Sequence, residues 1–367
     1  MGTTSSFFGG SGGGGGSTLP DPIFLYNKSS STYTFPYDGT VLVHVIGAGG
    51  SGGKQYSNYM CTGGGAGGYS RKEFSVSSGN TATVTTGVGG REAGFQLSDA
   101  EGIAGTASSF VFGGSTLTAN GGGAGQRYSQ NGGAGGTASG GDVNYTGGRG
   151  GNLGGTYNNN KRQATGGGAV NFFNIETNGG DIADLDPSFV ATGGGGIGGN
   201  GGGLSGNVLG TWYATGGGGT GGPAYYRDVN TILNYGGLQG GGGGCTLFGK
   251  FWIGTGQQGI QKYNMNQYQS TDESPAHNLA EIPFGCGGGG MLLLDGTDEG
   301  GFEMSVAGMF GGGGALVSQP NRNHKHAGSA LIGGGGGAFT TSNNQTNSTS
   351  VSGRGGQGCV VIEYTAI

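Results

Sequence analysis

The chain has 367 residues, of which 100 are glycine and 8 proline, with 15 basic against 20 acidic side chains and a formal net charge of −5. Glycine costs about 1 kcal/mol relative to alanine inside a helix, which excludes helices of ordinary length; glycines in blocks, not at every third position, exclude collagen. The mildly acidic balance and scattered cations exclude a nucleic-acid binder, which needs clustered Lys and Arg.

In chain order, residues 1–22 read as a flexible arm. Gly9 to Gly16, broken only by Ser11, lead into Ser17-Thr18-Leu19-Pro20-Asp21-Pro22. Phe7 and Phe8 are the expected anchor of this arm in a larger particle. Met1-Gly2 with Ser6 fits the loose myristoylation pattern, but an unmodified polar arm is the plainer reading. The first residues have neither a basic start nor an apolar stretch, so no signal peptide is expected. Nor is a membrane span, since the longest strongly apolar run is Met291-Leu292-Leu293-Leu294.

Strand signals follow. Thr32-Tyr33-Thr34-Phe35, a turn at Pro36-Tyr37-Asp38-Gly39, and residues 40–46 read as two strands, the second with Val41, Val43 and Val45 on one face. Residues 69–76 and 81–88 are further strands. Residues 108–112 and 115–118 form a hairpin through a primed two-residue turn at Gly113-Gly114. One strand stands alone at the other end, Cys359-Val360-Val361-Ile362-Glu363-Tyr364. It needs a sheet to join, and the N-terminal strands offer the only one. Residues 23–120 and 354–367 are therefore expected to form one β-sandwich of jelly-roll type.

Residues 121–353 carry a repeat. Ala164-Thr165, Ala191-Thr192 and Ala214-Thr215 each precede a glycine run. Runs start at 166, 193, 216, 240, 287, 311 and 333, with one doubled step of 47 residues. A glycine run becomes ordered as a polyglycine II rod, a left-handed extended helix with three residues per turn. Its amides point sideways to several neighbours, and only glycine allows such close approach. A flexible linker is the competing reading of the composition. The fixed period opposes it, as do the apolar residues bracketing the runs, which read as lids packing over the ends of the lattice: Met309-Phe310 with Ala315-Leu316-Val317, Leu331-Ile332 with Ala338-Phe339, and Phe284 with Met291-Leu292. The expected fold is all-β, a sandwich plus a lattice of polyglycine II helices, with essentially no α-helix.

Catalytic and metal chemistry is not expected, and neither is a cofactor. Gly-x-Gly-x-x-Gly matches carry no information in this composition. The segment Gly244 to Lys250 imitates a phosphate loop but has Phe251 where a magnesium-binding hydroxyl belongs. His324 and His326 read as an exposed loop tip, and His44 as a packed strand residue. Asp181, Asp184 and Asp186, and Asp295, Asp298 and Glu299, read as solvated loops, with calcium as the alternative. Asn27, Asn144, Asn344 and Asn347 begin sequons that stay unmodified without export. Four cysteines, Cys61, Cys245, Cys286 and Cys359, are too few for a disulfide scaffold.

The informative residues are loop aromatics, which supply rigid contact area at low entropy cost. Trp212 reads as core. Trp252, Tyr225, Tyr226, Tyr263 and Tyr268 are the candidate contact residues. If the rods flanking the 47-residue step are antiparallel, Cys245 and Cys286 meet at one end and clamp a projecting recognition loop. Their bridge would contribute about 4 kcal/mol in the chain-entropy model.

Tyr33-Thr34-Phe35-Pro36 through Gly39-Thr40-Val41-Leu42-Val43-His44-Val45-Ile46-Gly47-Ala48-Gly49-Gly50 resembles the opening of the glycine-rich domain of bacteriophage tail and virion proteins. Gly63 to Tyr69 and Thr83 to Gly90 continue the pattern, and Gly353 to Tyr364 is similar to its ending. The domain also occurs in the ectodomain of the anaplastic lymphoma kinase receptor. The runs between variable loops resemble the polyglycine-sandwich adhesins of T-even-like phage fibre tips. This resemblance implies a virion protein that joins other tail, fibre or capsid proteins through its arm and recognises a host surface protein or glycan. A capsid-decorating protein is the alternative. A glycine-rich antifreeze protein is a second, opposed by the lack of a threonine array.

Overall fold

The computed structural model describes residues 19–55, 60–92, 100–154, 162–183, 189–204, 212–215, 217–219, 241–247, 250–255, 285, 287–288, 290–293, 307, 309–318, 327–341 and 351–367. These residues hold no helix. The chain is all-β.

Two five-stranded sheets face each other at one end. One has the order β1 (Ile23–Tyr26), β19 (Cys359–Ala366), β3 (Gly39–Ile46), β5 (Tyr69–Val76) and β10 (Val143–Tyr145). The other has β2 (Ser29–Thr34), β6 (Thr81–Thr85), β7 (Ser108–Phe112), β8 (Ser115–Ala119) and β9 (Ala138–Ser139). The C-terminal strand lies between β1 and β3, antiparallel to both, so the chain closes on itself as expected. The turn at Pro36 carries the chain from one sheet to the other, so β2 and β3 never pair. Gly113 (φ 57°) and Gly114 (φ 76°) make the primed turn of the β7–β8 hairpin, where only a residue free of a Cβ sits comfortably. Alternation does the rest: Val41, Val43, Val45, Val360 and Ile362 face Val84, Phe110, Leu117 and Ala119 in one closed core. The strands β9 and β10 fall beyond residue 120 yet extend both sheets.

Sandwich strands run on as rods. β3 continues into residues 47–53, and β5 and β19 emerge from residues 63–68 and 353–358. For the same reason β6 stops at Thr85, short of the expected 88, where residues 86–90 become a rod. In the stretch 63–68 the amides turn through three directions. Gly64 and Gly67 donate to Gly336 and Gly333, Gly65 and Gly68 to Gly123 and Asn120, and Gly63 and Ala66 to Thr165 Oγ1 and Gly148. Residues 64 and 67 meet one rod and residues 65 and 68 another, which is the threefold period of polyglycine II, while the third direction passes from the 165 rod to the 148 rod. Likewise Gly166, Gly167 and Gly168 donate to three different rods, at Thr192 Oγ1, Gly313 O and Gly64 O. Rods run both ways: 192–195 is parallel to 164–167 and antiparallel to 312–315. A flexible linker has no such order.

Away from the sandwich the rods pass back into strands. β11 (Arg162–Ala164), β12 (Phe189–Ala191) and β13 (Trp212–Ala214) form one parallel sheet. A facing sheet has the order β15 (Lys250–Thr255), β14 (Gly241–Leu247), β16 (Met291–Leu293), β17 (Leu316–Ser318), β18 (Phe339–Thr341) and β4 (Lys54–Gln55). The run starting at Gly240 is thus mostly strand rather than rod. Between these sheets Ala164, Ala191, Ala315, Val317 and Ala338 close the distal end.

Phe310, Leu316, Val317 and Phe339 are buried lids, as their brackets on the glycine runs predict. Leu331 is not; it is 45% exposed on an outer rod. The other end of the lattice seats Val170, Phe172, Ile197 and Phe310 on the outer face of the β19–β3–β5 sheet. His44 lies there, 2% exposed. Its Nδ1 is 2.7 Å from the Tyr69 hydroxyl and its Nε2 3.3 Å from Glu363 Oε2. Burial holds its pKa below the ordinary histidine value, against the opposing pull of Glu363. It is a packed strand residue.

Candidate functional site

The molecule has two unlike ends. The chain enters β1 from the side away from the lattice, and Ala366 leaves beside Thr40 on that same side. At about 3.4 Å per strand residue and 3.1 Å per rod residue, β3 and its rod carry the chain roughly 50 Å to the opposite rim. The described residues flanking 155–161, 184–188, 205–211 and 342–350 all lie at that rim. In sequence three of those connections are poor in glycine and rich in polar residues, for example Gly-Thr-Tyr-Asn-Asn-Asn-Lys and Ser-Asn-Asn-Gln-Thr-Asn-Ser-Thr-Ser. A rigid scaffold whose polar connections leave from one rim is the usual arrangement of a binding end.

Two arginine–aromatic pairs mark the described part of the rim. Cys61 bridges to Arg127 on one side and Ala164 on the other, which fixes the level of both flanks. Arg127 lies over the Tyr128 ring, 5.3 Å from its centroid. Tyr128 is 44% exposed and has φ 54°, a left-handed conformation unusual for a bulky residue. Its hydroxyl accepts from Gln55 Nε2 at 3.0 Å, and its N–H donates to Met60 O. One register step before Ala164 and Ala191 come Gln163 and Val190, and a second step brings Arg162 beside Phe189. The Arg162 guanidinium lies 4.5 Å from the Phe189 centroid, and partial burial lowers its pKa.

Beneath the rim the Ala-Thr-Gly repeat shows its chemistry. Thr165 Oγ1 donates to Gly151 O at 2.7 Å and accepts from Gly63 N at 3.0 Å. Thr192 donates to Gly180 O and accepts from Gly166 N; Thr215 donates to Gly202 O and accepts from Gly193 N. Each hydroxyl therefore ties its own rod to two others. On the outer lattice face every third residue looks outward, giving Arg149 and Asn152, Asn178 and Asp181, then Asn200. Arg149 holds Asp181 bidentately at 2.6 and 2.7 Å, so this aspartate is an ion-pair partner. Asn144 takes hydrogen bonds from Ser70 and the Gly141 N–H, a structural use of that sequon. Among the described residues no group of three or more His, Cys, Asp or Glu could hold a metal.

Of the aromatic contact candidates, only Trp252 is placed, and only by its backbone, opposite Cys245 in the β14–β15 hairpin. Tyr225, Tyr226, Tyr263, Tyr268, Phe7, Phe8 and Cys286 lie outside the described residues, as do Asp184, Asp186, His324 and His326. The antiparallel premise for Cys245 and Cys286 is overturned. β14 pairs with β16 in parallel, Cys245 opposite Leu292. The glycine run that Cys286 precedes leads into β16 from the other end, because a parallel sheet places equivalent steps of two runs side by side. The chain after Cys245 turns back along β15, and Thr255 ends opposite Gly241, toward the sandwich.

Tyr128, Arg127, Arg162, Phe189 and Gln55 were missed by sequence reasoning. A signal existed for some of them. Cys61-Thr62-Gly63 is a fourth copy of the Ala-Thr-Gly pattern, and extending the pattern two residues upstream aligns Arg162 with Phe189 and Trp212. No family model matches the chain, and no curated protein is similar to it.

Proposed function

We propose that the protein is a phage virion component that recognises the host surface with its distal rim and is held in the particle from the sandwich end. The observation that carries this reading is the polarity of the molecule. Residues 19–22 lead into β1 at one end, and the arginine–aromatic pairs, with the described residues that flank the polar connections, lie at the other. The lattice between them is rigid because its rods bond in three directions, so the rim is presented without hinge losses.

Blocking each end separately tests the proposal. In a Cys245→Ser, Cys286→Ser background, a single cysteine at Asn131 (rim) or Ser78 (sandwich turn) is coupled to a polyethylene glycol chain. Both positions are exposed. Adsorption of the purified protein to host cells is expected to fall sharply with the Asn131 adduct and to persist with the Ser78 adduct. Persistence with both, or loss only with Ser78, contradicts the assignment. Tyr263→Ala with Tyr268→Ala in the same assay reads whether the long insertion shares in binding.

A further inference from the structure

We propose that Tyr128, with Arg127 and Gln55, is an anchor for an acidic sugar, and that Arg162 on Phe189 is a second contact for the same chain. The proposal rests on the host-recognition reading and names its ligand class.

The ring of Tyr128 is exposed, so it contributes little to the core, yet it is held on four counts. Its backbone sits in the left-handed region at φ 54°. Its N–H is bonded to Met60 O, its hydroxyl to Gln55, and its ring is flanked by the Arg127 guanidinium. Gln55 is itself fully buried, so the donor that fixes the hydroxyl cannot drift. Strained backbone that surrounding structure holds in place gathers at contact sites. An exposed aromatic pre-organised in this way loses little entropy when it meets a ligand.

The chemistry on offer is that of a saccharide. A pyranose has a C–H face that packs on an aromatic ring and a hydroxyl edge that needs donors and acceptors. Its carboxylate, when it has one, matches the planar fork of a guanidinium. Both rim pairs combine a ring with that fork. They stand on either side of the Met60 strand, with Tyr128 and Gln163 at its level, two strand spacings or about 10 Å apart. A short oligosaccharide covers that span. Between the pairs lie Met60 and Gln163, both buried.

The test compares oligogalacturonate with its methyl ester by calorimetry on the full chain. The wild type is expected to bind the free acid more tightly than the ester. Arg127→Gln is expected to remove that preference. Tyr128→Asn, chosen because asparagine tolerates a left-handed φ, is expected to weaken both sugars at least about tenfold while the variant still folds cooperatively, with a lower melting temperature from the lost Gln55 partner. No binding of oligogalacturonate by the wild type overturns the proposal, as does wild-type affinity in a folded Tyr128→Asn. Cell adsorption separates the two readings. Normal adsorption by both variants overturns the sugar anchor alone, whereas a wild type that does not adsorb overturns host recognition itself.

Discussion

Gly335→Ala is expected to destabilise the protein by more than about 3 kcal/mol, beyond the usual cost of an overpacked core. A Cβ built on Gly335 overlaps the carbonyl of Gly64, with Gly65 backbone also inside contact distance. In an ordinary core the obstacle is a side chain that changes rotamer. Here it is the backbone of another rod, and that rod is bonded in turn to residues near 123, 148 and 165. Moving it breaks several hydrogen bonds at once, so the strain cannot relax locally. Gly79→Ala is the control. Gly79 has φ +83° and nothing within 4 Å of its Cβ. It is expected to cost about 1–2 kcal/mol, the penalty of a left-handed alanine. Urea unfolding of the two variants measures the difference, and equal midpoints would contradict close packing of the rods.

Thr165→Val is expected to cost about 2–6 kcal/mol, although it keeps the shape of the side chain. The hydroxyl is buried and serves as donor to Gly151 and acceptor from Gly63. Valine leaves both backbone groups without that partner at a fully buried position, and each orphan costs about 1–3 kcal/mol. Thr165→Ser keeps the hydroxyl and is expected to stay within about 1 kcal/mol of wild type, a volume change of one methyl. The contrast between Val and Ser separates the hydrogen bonds from the packing. A thermal scan in which both variants melt together would assign the repeat's threonines to packing alone.

The sandwich was readable because its signals are local. Valines at 41, 43 and 45 alternate, Gly113-Gly114 spells its own turn, and the lone strand 359–364 had one sheet to join. The rods were readable from their period, since a threefold helix lets a glycine run bond close neighbours on several sides, although the run at 240 became strand β14 instead. Which rods neighbour each other was not readable, because glycine carries no side chain to record its partner. That is why the parallel pairing of β14 with β16 escaped sequence reasoning. Leu331 was misread as a lid for a related reason. In a threefold rod one residue in three looks outward, and apolar character alone does not say which. The rim pair Arg127–Tyr128 depends on a strand crossing between residues 61 and 127, a relation no spacing reveals. Threonine was visible in the repeat, but its hydroxyl's role as a tie between three rods needed the register.

Amide hydrogen exchange resolved by residue tests the lattice most directly. The account predicts that the amides of Gly64, Gly167, Gly194, Gly312 and Gly335 exchange as slowly as those of Val43 and Val361, because each donates to another rod in a unit that opens only with the whole fold. Exchange of those glycines at the rate of free chain, while β3 and β19 remain protected, would contradict it.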